Sequence, residues 1–188
     1  MVTLSENNEK GMKQKLYNLS LIGWLLTTSI ILLSLFKINL VEKFPFLFIL
    51  FAGVFIVFIP CVFYAKNNER IMEYEYYNNT LFGSGNVPLI TFFENAPNWI
   101  LAIICLSFIS AIIFFTQSFR TETGTAEIIN SKYFLTNHGR VIREITENEY
   151  KSIKLVTFRG FFGMAMLFYS IPTLVYNRLI EWENNETE

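Results

Sequence analysis

The chain has 188 residues, of which 52% are hydrophobic and 17% aromatic, and 20 of them are phenylalanine. This composition is too apolar for a typical soluble domain, and phenylalanine at this density is typical of chains that lie in lipid or at its border. The net charge of -1 argues against direct nucleic-acid binding, because neutralising phosphates requires clustered Lys and Arg. All 16 acidic residues are glutamate, which excludes the Asp-based metal sites of phosphoryl-transfer enzymes.

Four apolar runs are long enough to cross a bilayer as helices, since about 20 residues span the roughly 30 Å hydrocarbon layer. We predict transmembrane helices over residues 17–36, 44–65, 99–119 and 158–176. The first follows a polar tail, residues 1–16, and is too long for a signal-peptide core. The fourth is short and contains Pro172, so we expect it to pack against the other helices. The predicted fold class is an all-α polytopic membrane protein with four transmembrane helices.

Small residues at helical spacing predict close packing of these spans against other helices. The candidate helix-packing residues are Gly23, Thr27, Ser107, Ala111 and Gly163. We interpret them as faces through which the chain forms a homo-oligomer, tetramer-like, within membrane lipid. The alternative is that they are ordinary small residues of lipid-facing helices.

The longest connection between predicted helices, residues 66–98, begins with a charged and tyrosine-rich stretch. We predict that this stretch continues the second helix out of the membrane, that Gly83-Ser84-Gly85 breaks it, and that residues 87–97 form a short interfacial helix. Arg and aromatic residues are enriched at protein interfaces. We therefore predict a partner-docking segment, with its binding residues Glu69, Arg70, Glu73, Tyr74, Tyr76 and Tyr77. The alternative is an aromatic belt at the membrane border.

Residues 120–157 form a polar module between the third and fourth spans. Alternating apolar and polar residues predict short strands at 126–129, 133–136 and 141–145. Asn137-His138-Gly139 suits a hairpin turn, because these residues tolerate positive φ. His138, the only histidine, is interpreted as a turn residue rather than a pH sensor or ligand. Thr146 and Glu149 predict a capping box that opens a short helix ending near residue 155. The expected module is thus a β-hairpin followed by a short helix.

The lysines before the first span favour a cytoplasmic N-terminus under the positive-inside rule. Four spans then place both termini and residues 66–98 in the cytoplasm, and residues 120–157 on the opposite side. The basic residues in and beside that module, among them Lys132, Arg140 and Lys151, count against this orientation, but folded loops cross a membrane despite such charge more readily than short tails do. The last segment, residues 177–188, is acidic, and we expect it to be a disordered tail. The predicted location is the bacterial inner membrane, in a multi-pass topology.

No ionisable residue lies well inside an apolar run, which argues against a pump or a coupled transporter. Zinc spacings, phosphate loops and dinucleotide fingerprints are missing from the sequence. Gly83-Ser84-Gly85 lacks the strand–turn–helix setting of a hydrolase nucleophile. Cys61 and Cys105 fall inside predicted spans, where a thiol behaves as a small apolar group. We expect no catalytic, cofactor-binding or metal-binding residues, and therefore no cofactor and no enzyme activity.

The whole layout combines four spans, a segment rich in Glu and Tyr, and the polar module that contains Tyr133 and the Asn137-His138-Gly139 turn. It resembles small four-span inner-membrane proteins of bacterial defence loci, among them the membrane subunit of the Kiwa anti-phage system. The resemblance implies a homo-oligomeric scaffold or sensor that responds to phage at the envelope and recruits a cytosolic, co-encoded DNA-binding partner. Two alternatives are an immunity protein against a pore-forming bacteriocin and a channel subunit.

Overall fold

The structure is a computed structural model that describes residues 4–38, 40–77, 90–120 and 124–186. Within these residues, four helices are long and apolar enough to cross a membrane. The helices are α1 (Leu4–Leu35), α2 (Leu40–Lys43), α3 (Ile49–Lys66), α4 (Glu69–Tyr77), α5 (Ile90–Phe93), α6 (Asn98–Arg120) and α7 (Glu147–Glu186). A short 3₁₀ turn, Pro45–Phe48, precedes α3, and three strands, β1 (Thr125–Ile129), β2 (Lys132–Asn137) and β3 (Arg140–Glu144), lie between α6 and α7.

Helix α7 lies at the centre of the fold and packs against α1, α3 and α6. In its most apolar window, 44% of the residues are buried within the chain, whereas the share is 17% for both α3 and α6. The outward faces of α3 and α6 therefore leave apolar side chains that lipid would cover. As the sequence led us to expect, the fourth apolar helix packs against the other three.

The length of α7 differs from the prediction. At about 1.5 Å of rise per residue, its 40 residues extend for about 60 Å, roughly twice the hydrocarbon thickness. We predicted a separate helix ending near residue 155, a span over 158–176 and a disordered tail over 177–188. The span lies within α7, but the two divisions around it are wrong, because one helix continues through both of them as far as Glu186. The chain has no helix-breaking residue where the first division was placed. Leu179 and Trp182 are buried, and their packing keeps the last turns helical.

Tyr169 marks the point where α1, α3 and α7 meet. Gly23 of α1 faces its ring and Gly53 of α3 faces its hydroxyl, and a Cβ atom at either position would overlap the tyrosine side chain. The phenolic hydroxyl donates a hydrogen bond of 2.6 Å to the carbonyl oxygen of Leu50. This bond satisfies the polar end of a buried side chain. The two glycines thus form the slot that lets three helices approach closely.

The five predicted helix-packing residues all lie inside this bundle. Thr27 and Ser107 are fully buried, and Ser107 accepts a hydrogen bond of 2.8 Å from the indole nitrogen of Trp24. Gly163 of α7 faces Ala111 of α6, where a Cβ atom would lie 3.6 Å from the Ala111 Cα. These residues pack helices of one chain, and an oligomer would have to form through other faces.

The three strands form an antiparallel sheet in the order β1-β2-β3. The module is therefore a three-stranded meander rather than a single hairpin. His138 and Gly139 have φ values of 49° and 78°, as a tight hairpin turn with positive φ requires. Asn130 and Ser131 form the other turn, with φ values of 49° and 63°. The sequence analysis did not identify this first turn, because it contains no glycine.

The sheet packs on the first turns of α7. Ala126, Leu135 and Ile145 form a small buried cluster, which is covered by Tyr150 and Ile153 of α7 and by neighbouring residues. The hydroxyl of Thr146 accepts a hydrogen bond of 3.2 Å from the Glu149 amide, which is one half of the predicted capping box. The Glu149 carboxylate pairs instead with Arg143 of β3, with one N–O distance of 3.2 Å. This ion pair fastens the sheet to the helix.

The bundle has two distinct ends. Because α1 and α7 are antiparallel, the start of α1 meets the end of α7, and Lys13 forms an ion pair with Glu183 there. We call this end the terminus side; α4 and α5 also lie there. The opposite end, which carries β1, β2 and β3, is the sheet side. On the sheet side, Arg159 of α7 donates a hydrogen bond of 3.0 Å to Ser34 near the end of α1.

Candidate functional site

The terminus side brings together three regions that are distant in sequence: the start of α1, the α3–α4 junction and the end of α7. Lys13 lies between them and is only 6% exposed. It pairs with Glu9 at 2.8 Å and with Glu183, and its ammonium lies 5.1 Å from the centre of the Tyr64 ring. Lysine is rarely buried unless it is paired in this way. Lys13 therefore fixes the relative positions of α1, α3 and α7.

A groove of about 700 Å³ opens beside Lys13. We call it the terminus groove; α1, the end of α3, the start of α4 and the end of α7 contribute its lining. Its polar and charged lining residues are Asn8, Glu9, Lys13, Asn67, Asn68, Glu69, Arg70 and Glu183. Small-molecule sites are mostly apolar, whereas a mixed and open surface of this kind is typical of protein contacts.

Helix α4 carries the predicted docking residues. Asn68 caps it, because its side-chain oxygen accepts a hydrogen bond of 3.1 Å from the Arg70 amide. Ile71 is buried and anchors the helix to the bundle, whereas Glu69 and Glu73 are exposed. Glu69 and Arg70 line the terminus groove. The other predicted residues lie within α4, but their side chains are outside the described part of the chain: Tyr74, Tyr76 and Tyr77.

A second cavity, of about 250 Å³, adjoins the terminus groove and shares Arg70 with it. We call it the arginine cavity; its lining is Arg70, Ile71, Thr91, Glu94, Asn95, Arg178 and Trp182. The Trp182 ring receives two guanidinium groups, with ring-centre distances of 5.6 Å for Arg70 and 5.5 Å for Arg178. Phe92 packs on the same indole, with ring centres 5.3 Å apart. Trp182 thus joins α4, α5 and α7.

Arg178 is the most deeply buried cation of this cavity, with its side chain 6% exposed. One of its terminal nitrogens pairs with Glu181 at 2.5 Å and lies 3.4 Å from the Asn95 carbonyl oxygen. Its Nε is also buried, and it has no hydrogen-bond acceptor among the residues that the structure describes. A buried donor without an acceptor carries a desolvation cost. Arg178 therefore lines the cavity as a buried cation with one donor left unsatisfied among the described residues.

The sequence analysis did not select Lys13, Arg178 or Trp182 as functional residues. Lys13 was used only for orientation, because its partner Glu183 is 170 residues away and gives no local signal. For the end of α7 a signal did exist: Leu179 and Trp182 are three residues apart, in a stretch whose only other apolar residue is Ile180. This spacing is typical of one apolar helix face. It indicates a packed helix rather than a disordered tail.

The chain was also compared with known proteins. No protein-family model, curated protein or solved structure matches it. Function is therefore inferred from the geometry of the terminus side and from the layout of the chain.

Proposed function

We propose that this chain is a non-enzymatic, membrane-embedded scaffold or sensor of a bacterial anti-phage defence complex, which recruits a soluble partner at its terminus side. The observation that carries the proposal is the terminus groove, an open and mixed-charge surface of about 700 Å³ bounded by Lys13 and by the predicted docking residues Glu69 and Arg70. The resemblance to the Kiwa membrane subunit implies the class of partner, a cytosolic, co-encoded DNA-binding protein.

The groove is suited to protein docking because its walls are fixed from behind. The buried Lys13–Glu183 pair ties α1 to α7, and buried Ile71 holds α4 against the bundle. A surface that is already ordered loses little conformational freedom when a partner binds. Glu69 and Glu73 are exposed and offer carboxylates to a basic partner surface. A DNA-binding partner carries such basic surface, and the net charge of this chain leaves nucleic-acid contact to that partner.

In this proposal the terminus side faces the cytoplasm of a bacterium and the sheet side faces the envelope. The exposed Lys15, Lys66 and Arg70 at the terminus side fit this orientation, whereas the exposed basic residues of the sheet side, among them Lys132, Arg140 and Lys151, count against it. The proposal places the sheet side outside because a folded module crosses a membrane despite such charge more readily than a short tail does. Helix α7 connects the two sides without a break, from the sheet to Trp182. A disturbance of the sheet would therefore reach the groove along one continuous helix, which contains Pro172 between the two sides.

The proposed assembly is a homo-oligomer, tetramer-like, in which several copies present their grooves together. The small faces at Gly23 and Gly163 are used within the chain, so copies would meet through the exposed apolar faces of α3 and α6. Several grooves on one assembly would raise the avidity for an oligomeric partner without any new contact.

Affinity purification from the native operon in mild detergent, with the mass of the complex measured, tests this proposal. We expect a co-encoded soluble protein in a fixed ratio with several copies of this chain. The double variant Glu69→Ala, Glu73→Ala should lose at least about nine-tenths of the partner, because hot-spot residues dominate such interfaces. The matched control Lys132→Ala, Glu144→Ala removes an exposed ion pair on the sheet side and should retain it. Recovery of the wild-type chain alone, as a monomer, would contradict the proposal. It would favour the alternative that the chain is an immunity protein against a pore-forming bacteriocin.

A further inference from the structure

The arginine cavity lies beside the start of α6, one of the four helices that are long and apolar enough to cross a membrane. Arg178 reaches the carbonyl oxygen of Asn95, and α6 begins three residues later at Asn98. Trp99, in the first turn of α6, is 47% exposed on the outside of the bundle. Tryptophan is enriched where lipid headgroups meet the hydrocarbon layer. The cavity therefore opens at the depth of the headgroups rather than in bulk water.

Arg178 lines the arginine cavity, and its side chain is more than nine-tenths buried. Its Nε has no hydrogen-bond acceptor among the described residues, so a small movement of the guanidinium toward the cavity would let a ligand oxygen satisfy it. A guanidinium presents planar N–H donors that match the oxygens of a phosphate. The second guanidinium of the cavity, Arg70, lies on the same tryptophan. Phosphate is thus the ligand group that this pair of arginines recognises best.

The carboxylates decide which phosphate compound fits. Glu94 lines the cavity, and Glu181 pairs with Arg178, so the two arginines are balanced by two glutamates. A site whose positive and negative charges are equal in number exerts little long-range attraction on a free anion. We propose that the arginine cavity binds a zwitterionic phospholipid headgroup, with its phosphate at Arg178 and its primary ammonium at Glu94.

This site is separate from partner recruitment, because it needs only the chain and a lipid. The test uses the purified full-length chain in detergent, with bound lipid measured by native mass spectrometry. Short-chain phosphatidylethanolamine, short-chain phosphatidylglycerol and inorganic phosphate are titrated separately. We expect one saturable phosphatidylethanolamine site, bound roughly tenfold more tightly than phosphatidylglycerol, with no competition from inorganic phosphate.

Three variants complete the design. Arg178→Gln should weaken phosphatidylethanolamine binding by roughly tenfold or more, since hydrogen bonds to charged groups are strong. Glu94→Gln changes an exposed residue, so it keeps the test informative if Arg178→Gln does not fold; it should abolish the preference over phosphatidylglycerol. The matched control Arg143→Gln changes an arginine on the sheet side and should leave lipid binding unchanged.

Two results would overturn this inference. The first is the absence of a saturable lipid site, or equal affinity in the wild type and Arg178→Gln. The second is binding of phosphatidylglycerol or inorganic phosphate as tight as that of phosphatidylethanolamine, which would assign the arginines to an anion site without headgroup selection.

Discussion

The two ends of the bundle are built in opposite ways. In the sheet module, ion pairs join neighbours in sequence, such as Lys151 with Glu147 four residues away, and a small cluster around Leu135 holds the strands to α7. The long-range contact at this end, from Arg159 to Ser34, joins α7 to α1 and does not involve the strands. On the terminus side, Lys13 pairs with a residue 170 positions away, and Arg178 reaches a carbonyl 83 positions away. A local module folds from its own segment, whereas the terminus side exists only after α1, α3 and α7 have packed. Cavities remain where these distant pieces meet.

Burial of the charges also differs between the ends. The side chains of Lys132 and Glu144 on the sheet side are 64% and 57% exposed, whereas the Lys13 side chain is 7% exposed. Exposed ion pairs contribute about 0–1 kcal/mol to stability. Removing one partner of a buried pair costs about 3–5 kcal/mol, because the other charge is left without compensation. Equivalent charge changes at the two ends should therefore have unequal effects.

The largest effect is expected from Trp182→Ala. The indole is 7% exposed and lies against Phe92, Arg70 and Arg178, so its loss leaves a large void. We expect the free energy of unfolding in detergent micelles to fall by about 3–5 kcal/mol, as for other buried tryptophans. Trp99→Ala is the matched control, because this side chain is 47% exposed and should matter much less. Equal losses for the two variants would show that the end of α7 is not packed.

Glu183→Gln should have the next largest effect. It leaves the buried ammonium of Lys13 with Glu9 alone. Because the Glu183 side chain is 27% exposed, the expected loss of stability is about 3 kcal/mol, at the low end for a buried pair. Chemical unfolding of the same micellar sample measures it. Glu144→Gln on the sheet side should cost less than about 1 kcal/mol, and a cost equal to that of Glu183→Gln would remove the contrast between the ends.

Leu135→Ala tests whether the sheet is a local unit. Leu135 is fully buried between the strands and α7, and we expect a loss of about 2 kcal/mol, because this small cluster can partly collapse. Hydrogen exchange should accelerate in β1, β2 and β3, while the amides around Trp182 keep their protection. Faster exchange at the terminus side would mean that the two ends unfold together.

The sequence was sufficient where structure depends on local patterns. Apolar length predicted four helices that are long and apolar enough to cross a membrane, and alternation predicted the strands around Leu135. The turn at His138 and Gly139 followed from residues that tolerate positive φ. These features depend on neighbours a few residues apart, so a single sequence carries them.

The rest could not be predicted, because it depends on residues that meet only in the folded bundle. The slot around Tyr169 combines glycines from two other helices, and no local pattern identifies Gly53 as its second wall. The Lys13–Glu183 pair and the arginine cavity likewise combine residues that are far apart in the sequence. The helical end of α7 is the exception, since the spacing of Leu179 and Trp182 indicated an apolar face.

Site-specific photo-crosslinking in cells tests partner recruitment at the terminus side most directly. A photoreactive residue replaces Glu73 of α4 in one strain and Lys132 of β2 in another, and both positions are exposed. If the partner docks at the terminus groove, position 73 crosslinks to a soluble protein encoded beside this chain, and position 132 does not. Crosslinking of that protein at position 132, or at neither position while the complex is intact, would contradict recruitment through the terminus groove.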